Sequence, residues 1–347
     1  MLSTADPVPA RRLRKVAARQ ARAVGRAALP LVMVGCAPRL VTATAAGAEL
    51  RADTVAIAAL ARELSSDDMR GRGPWSRDAE RAARRLAGIL EQLGARPVFG
   101  DRLLVPFAVP ERSRDTVFNV VGVLPARDRS VTGELIGIGS HLDHLGVGPP
   151  DARGDSIYNG FLDAAVPMAM TLDVARRYAR QPGDRALVVM FFNLEEQGLL
   201  GSKALLARAD AQAFVARLRL FVGVDAGSPA GEAVVWQLMG GSPTHAGARL
   251  ADSLARARAW TTTSTPPRPI NDVFTFSQRG VPILFPIPGA TWKGYSPEQR
   301  AAAMRRFDHY HQPSDEWRSD FPWVGTQAFA DWLWEIVQSA ADKHTVF

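Results

Sequence analysis

Three segments of this 347-residue chain are apolar almost without interruption: "ELIGIGS" (134–140), "RALVVMFFN" (185–193) and "LRLFVGVD" (218–225). A strand with one wet face alternates apolar and polar residues, whereas a strand covered on both faces does not. These runs therefore predict central strands with helices packed above and below. Helical patterns are spaced along the chain at 54–66, 77–94, 164–180, 202–216, 246–258 and 324–341, and further strand-like runs lie at 103–109, 117–124 and 281–287. Ser76 is placed to cap the helix at 77–94, acids fill its first turn, and Gly94 ends it. The alternation predicts an α/β fold: a mixed, mostly parallel sheet with helices on both faces. With no internal repeat and no long Pro-, Gly- or Ser-rich linker, residues 49–347 read as a single domain.

The charge balance is misleading at first sight. The chain carries +7 and a pI near 10.1, which would suit a nucleic-acid partner. Residues 1–26, however, hold Arg11, Arg12, Arg14, Lys15, Arg19, Arg22 and Arg26 against Asp6, which is +6. The remaining +1 leaves the body without a basic footprint, so no nucleic-acid partner is expected. The basic stretch is followed by "AALPLVMVGCAP" (27–38) and the small residues of "TATAAGAEL" (42–50), a pattern that reads residues 1–48 as an export signal or lipoprotein leader. The apolar run is too short to span a bilayer. Cys36, the only cysteine, ends that run much as a lipobox cysteine does, although Met33 stands where Leu is usual. Lipidated, it would attach the protein to a membrane; otherwise cleavage near Ala46 or Ala48 would remove it. The expected location is periplasmic, outer-membrane-anchored or secreted. Disulfides are excluded.

In open α/β sheets, chemistry gathers outside the carboxyl ends of the strands. Residue by residue, the three apolar runs end in groups that can hold metals. His141, Asp143 and His144 follow the first, Glu195 and Glu196 the second, and Asp225 closes the third. Asp163 in "YNGFLDAA" and the "HYH" of 309–311 complete the set. Two adjacent glutamates at the edge of a core repel each other and require a compensating positive charge. Histidine and carboxylate without thiolate suit zinc, manganese or cobalt, and one bridging carboxylate would make the site binuclear. Each piece also has an ordinary reading. His-x-Asp can be a local hydrogen bond, Asp163 a helix N-cap, the glutamates a solvated face, and "HYHQPSDE" a surface loop with Asp315 as a cap. Their joint placement at strand ends favours one site. There is no His-Glu-x-x-His, no Gly-x-Ser-x-Gly and no phosphate-cradling loop, since "GVGPPDARG" (146–154) is broken by two prolines.

In this order, "SHLDHLG", "IYNGFLD", "FFNLEEQGLLGS", "VGVDAG", "NDVFTFSQRGVPILF" and "YHQPSD" resemble the successive motifs of the co-catalytic di-zinc aminopeptidases, metallopeptidase family M28. That family includes secreted bacterial leucine aminopeptidases and is related to glutamate carboxypeptidases and glutaminyl cyclases. The resemblance spans about residues 55–345. It implies a zinc-peptidase, phosphorylase/hydrolase-like three-layer sandwich with two Zn²⁺ per chain. Asp163 would bridge the ions, Glu196 and His311 would complete one site, and His141 and Asp225 the other. Glu195 would be the general base, and Asp143 would orient His141. His144 is left as a structural or supporting residue.

The resemblance further implies an exported exopeptidase, an aminopeptidase acting on peptides with a free N-terminus. A glutaminyl cyclase-like or carboxypeptidase activity on the same fold, and a non-enzymatic binding lipoprotein with a degenerate site, are the alternatives. Ala164, Ala165, Val166 and Pro167 stand where the family commonly has Asn-Ala-Ser-Gly, and Leu162 replaces an often acidic residue. None of these removes a ligand. The aromatics of 290–299 and 307–311 are candidates for walls of a specificity pocket, or for simple packing.

Overall fold

In chain order the strands are β1 (Arg96–Pro97), β2 (Leu104–Ala108), β3 (Thr116–Leu124), β4 (Leu135–His141), β5 (Gly146–Val147), β6 (Ile157–Tyr158), β7 (Ala186–Phe192), β8 (Leu218–Gly223), β9 (Val235–Met239), β10 (Thr261–Thr265) and β11 (Ile283–Pro288). The α-helices are α1 (Thr54–Leu64), α2 (Arg77–Gln92), α3 (Val166–Arg180), α4 (Leu200–Leu206), α5 (Ala211–Val215), α6 (Ala246–Ala257), α7 (Val273–Ser277), α8 (Pro297–Phe307) and α9 (Trp323–Ala340). This computed structural model describes residues 50–109, 116–225, 227–240, 245–307 and 309–347. Residues 1–49, on which the expected export signal or lipoprotein leader and Cys36 fall, lie outside the described residues.

Nine strands form one sheet in the order β1-β3-β7-β4-β8-β11-β9-β10, with β2 also paired to β3. Its centre is parallel: β7, β8 and β11 run with β4 and with one another through the β4–β7, β4–β8 and β8–β11 pairings. Antiparallel pairs flank it at β3–β7 and β9–β11. The three runs singled out for their continuous apolarity are the adjacent strands β7, β4 and β8. Their side chains serve two cores. Ile136, Ile138, Val189 and Val222 pack under α1, α2, α3, α6 and α9, while Leu135, Met190, Phe192 and Phe221 face the side of α4, α5 and α7. The result is a three-layer α/β sandwich.

The local signals act as expected at α2, where Ser76 Oγ accepts from the Ala79 amide at 3.0 Å and Gly94 takes φ +83°. The helix expected over 202–216 is two short helices, α4 and α5, separated by a turn in which Arg208 pairs with Asp210. Strands β9 and β10 escaped the sequence reading. "TTTST" is β-branched but polar, so it lacks the apolar pattern that betrays a strand; its pairing with β9 decides it. Among the described residues no helix is long and apolar enough to cross a membrane.

The glycines of "GIG" in β4 have a packing cause. A Cβ on Gly139 would stand 2.6 Å from the Met190 carbonyl and 3.2 Å from the Phe221 ring. Gly139→Val should therefore lower stability by on the order of 3 kcal/mol through overpacking, read as a loss in denaturation midpoint. An unchanged midpoint would mean that β4 is not clamped between β7 and β8 as described.

Candidate metal centre

The carboxyl ends of β4, β7 and β8 lie side by side, so the residues that follow them converge. His141 is the last residue of β4 and is buried. Its Nδ1 lies 3.0 Å from the backbone carbonyl of Asp143. A carbonyl can only accept, so Nδ1 carries the proton and Nε2 presents a lone pair in the neutral ring. That lone pair lies 3.0 Å from Asp163 Oδ1 and 3.0 Å from Asp225 Oδ1. Three electron-rich atoms thus converge on one point, an arrangement that needs a proton or a cation.

A second convergence sits beside the first. His311 Nε2 is 3.3 Å from Asp163 Oδ2 and 3.2 Å from Glu196 Oε2. Asp163 Oδ2 and His311 Nε2 are both buried atoms without a hydrogen bond. Ligand atoms around a tetrahedral zinc are about 3.3 Å apart, given bonds near 2.0 Å. The donor set and its spacing therefore fit two ions. His141, Asp163 and Asp225 form one group, and Asp163, Glu196 and His311, with His144 alongside, form the other. Asp163 belongs to both through different oxygens.

The turns that present these ligands are held from behind. Asp163 follows Gly160, whose φ is +59°, in a wide irregular turn, Phe161–Ala165, that leads into α3. Asp315 caps this turn, accepting from the Leu162 amide at 3.0 Å and the Asp163 amide at 3.2 Å. Pro167 sits in the first turn of α3, where a missing N–H costs nothing. Asn271 donates from Nδ2 to Asp225 Oδ2 at 2.5 Å. Asp143 departs from expectation. Its carboxylate stays 3.9 Å from His141 Nδ1 and accepts instead from the amides of Glu195, at 3.0 Å, and Glu196, at 3.3 Å. It is the main-chain carbonyl of Asp143 that orients His141, while the side chain fixes the glutamate pair. The two like carboxylates nevertheless stay close, one oxygen of each and a ring nitrogen of His141 lying within 4.8 Å of one another, so the pair needs the compensating charge of the site. Glu196 faces His144 and His311, and the Glu195 carboxylate has no hydrogen-bond partner among the described residues.

Arg72 escaped the sequence reading altogether. It is fully buried, and its guanidinium donates to the carbonyls of Leu142 (2.9 Å), Asn159 (2.9 Å) and Gly160 (3.0 Å), and to Leu64. One side chain thereby ties the turn after β4 to the turn that presents Asp163. Burial lowers its pKa to about 10, against the attraction of Asp163 and Asp143. Neither arginine of "MRGRGPW" carries a signal of burial, because only the fold brings the four carbonyls round Arg72.

A cavity of about 280 Å³ opens beside Asp163. Its walls include Leu162, Pro229, Pro288, Trp292, Met304 and Tyr310, and among the described residues it has no basic lining side chain. Tyr310 stacks on His311 at 3.8 Å, and Trp292 packs edge-on to Tyr295. Both aromatic stretches flagged in the sequence thus reach the cavity, by Trp292 and Tyr310.

A model of peptidase family M28 matches residues 119–337, more than half of the chain. The chain belongs to peptidase family M28. Solved structures with the same fold include the LapA aminopeptidase of Legionella pneumophila, at 14% identity and TM-score 0.62, over 84% of this chain and 70% of that one. A leucine aminopeptidase precursor from Bacteroides thetaiotaomicron matches at 16% identity and TM-score 0.60, over 84% and 99%. A glutaminyl cyclase of the same organism, bound to N-acetylhistamine, matches at 16% and 0.60, over 83% and 98%. A search of the curated proteins finds no match. The α/β sandwich is thus that of M28 peptidases, and its two His/Asp/Glu clusters can hold metal ions as a zinc metallopeptidase requires.

The electrostatics give a test. Burial opposes a charge on His141, but Asp225 and Asp163 hold its pKa well above the usual value. Burial lifts Glu195 to about 10, Asp272 to about 8 and Asp315 to about 7. All four groups bind protons more tightly folded than unfolded, so without metal their contribution falls as pH rises from about 5 to 8. Asp163 has the opposite sense. Burial would raise it, but His141 and His311 hold it well below the carboxylate range, and its contribution is constant above about pH 5. The melting temperature in chelator should therefore drop between about pH 5.5 and pH 8, and saturating zinc should flatten or reverse the slope. A chelated protein that gains stability over this range would contradict the site as built.

Proposed function

We propose that this chain is an exported di-zinc aminopeptidase that removes apolar residues from the free N-terminus of peptides. The observation that carries this reading is the split of Asp163, with Oδ1 directed at His141 and Oδ2 at His311. In the proposed assignment Asp163 would be shared by two ions, with His141 and Asp225 holding one and Glu196 and His311 the other. The ions would supply Lewis acidity, lowering the pKa of a water and stabilising negative charge on the peptide oxygen. Glu195 is the general base. Burial raises its proton affinity in the metal-free site; bound cations would favour its charged form, and the carboxylate could then take a proton from the attacking water and pass it to the leaving amine. Asp143 keeps that carboxylate in place through the Glu195 amide.

The cavity supports the substrate side. Its apolar wall suits an uncharged side chain, and the lack of a described basic lining residue gives a C-terminal carboxylate no partner. Fold likeness does not separate an aminopeptidase from a cyclase, because one relative of each kind matches with TM-score 0.60. The retention of His141 and Asp225 beside the second group favours two ions and hydrolysis. Export follows from the leader at 1–48, and lipidation of Cys36 would add a membrane anchor.

Glu195→Gln should keep both zinc ions by elemental analysis and lower kcat by roughly 10²–10⁴-fold on leucyl-p-nitroanilide. Near-normal turnover would remove Glu195 as the base. On a panel of aminoacyl-p-nitroanilides, leucyl and phenylalanyl substrates should exceed aspartyl. Cyclisation of N-terminal glutamine without hydrolysis of any member would overturn the aminopeptidase reading.

A further inference from the structure

His144 is fully buried, yet its ring reaches the second metal group. Nδ1 lies 2.9 Å from Glu196 Oε1, while Glu196 Oε2 is the oxygen that faces His311. We infer that His144 is a positioning residue that donates from Nδ1 to Oε1 of Glu196, leaving only Oε2 to bind the second ion. This rests on the two-ion reading above and assigns a role to a residue that reading does not use.

The seat of the ring is built by several independent parts. The His144 amide donates to the Arg72 carbonyl at 3.2 Å, so the arginine that ties the two ligand turns together also fixes this backbone. Gly160 leaves the space the ring occupies, since a Cβ there would stand 2.6 Å from His144 Cδ2 and 2.7 Å from Cγ. The adjoining His311 ring is 5.5 Å away, centroid to centroid. A histidine serving only as packing has no reason to aim Nδ1 at a carboxylate oxygen. Direct ligation fits less well. His144 Nδ1 is 4.0 Å from Asp163 Oδ2, whereas the two contacts of His311 are 3.3 and 3.2 Å, near the edge of about 3.3 Å that tetrahedral zinc requires. The 2.9 Å contact to Oε1 has the length of a charge-assisted hydrogen bond. A carboxylate free at both oxygens can chelate through both or swing between them. The N–H on Oε1 removes that freedom and also holds the short turn that carries Glu195.

The test is stepwise zinc affinity by competition with a chromophoric chelator, with Co²⁺ absorption as a second readout. Two substitutions separate the possible roles. In His144→Asn the side-chain amide Nδ2 takes the place of Nδ1 as donor, whereas His144→Leu removes the donor. His144→Leu should weaken the second ion by about 10–100-fold, as loss of an outer partner does, and leave the first unchanged. His144→Asn should recover most of the loss and give the wild-type Co²⁺ spectrum. Unchanged second-ion affinity in the folded leucine variant would overturn the proposal in favour of packing. An asparagine variant as weak as the leucine variant, with an altered Co²⁺ spectrum, would overturn it in favour of direct ligation. If the wild type itself binds fewer than two ions, the two-ion reading falls and this inference with it, whereas a wild type with two ions and a failed variant pattern removes only the role of His144. Thermal melts of both variants keep loss of folding separate from loss of affinity.

Discussion

Buried negative charge that the protein's own cations cannot balance is the constraint on which this structure depends. Asp143, Asp163, Asp225, Asp272 and Asp315 are all buried within one small region, with Glu195 and Glu196 at its mouth. Against them stand Arg72 and the imidazoles of His141, His144 and His311. Isolated carboxylates in such a place cost several kcal/mol each. Bound cations offset that cost, so the arrangement that destabilises the metal-free protein is the one that gives the site its affinity.

The carboxylates divide their work accordingly. Asp143 and Asp315 direct their oxygens to backbone amides and thereby aim other residues: the glutamate pair in one case, Asp163 in the other. Asp163, Glu196 and Asp225 keep oxygens turned toward histidine nitrogens. Arg72 and Asn271 hold the frame, the first through three carbonyls on two turns and the second through Asp225. Much of the precision of the centre thus lies in residues that would never touch a metal.

Several of these parts were visible in the sequence and several were not. His141, Glu195, Glu196 and Asp225 were legible because each follows an apolar run, and the end of a buried parallel strand is a poor place for an unpaired charge. Asp163 and His311 were legible by motif resemblance, since an Asp after Asn-Gly and a His beside Tyr carry no local mark. Arg72 and Asn271 were not legible. Their roles rest on contacts with distant backbone and side chains, Arg72 with carbonyls up to 88 positions away and Asn271 with Asp225, 46 positions away. The work of Asp143 was half legible: the motif points to His141, but the choice between carbonyl and carboxylate depends on how close β7 brings the glutamate amides.

The sequence by itself determined that β4, β7 and β8 would be buried on both faces and that their ends would carry histidine and carboxylate. Hydrophobic periodicity is a local property, and burial reads it directly. The tertiary structure alone decided which oxygen of Asp163 meets which histidine, that His144 reaches Glu196, and that Leu162, Trp292 and Tyr310 share one wall. Those are contacts between distant positions in the chain, and they are set by strand order and turn geometry, neither of which periodicity encodes.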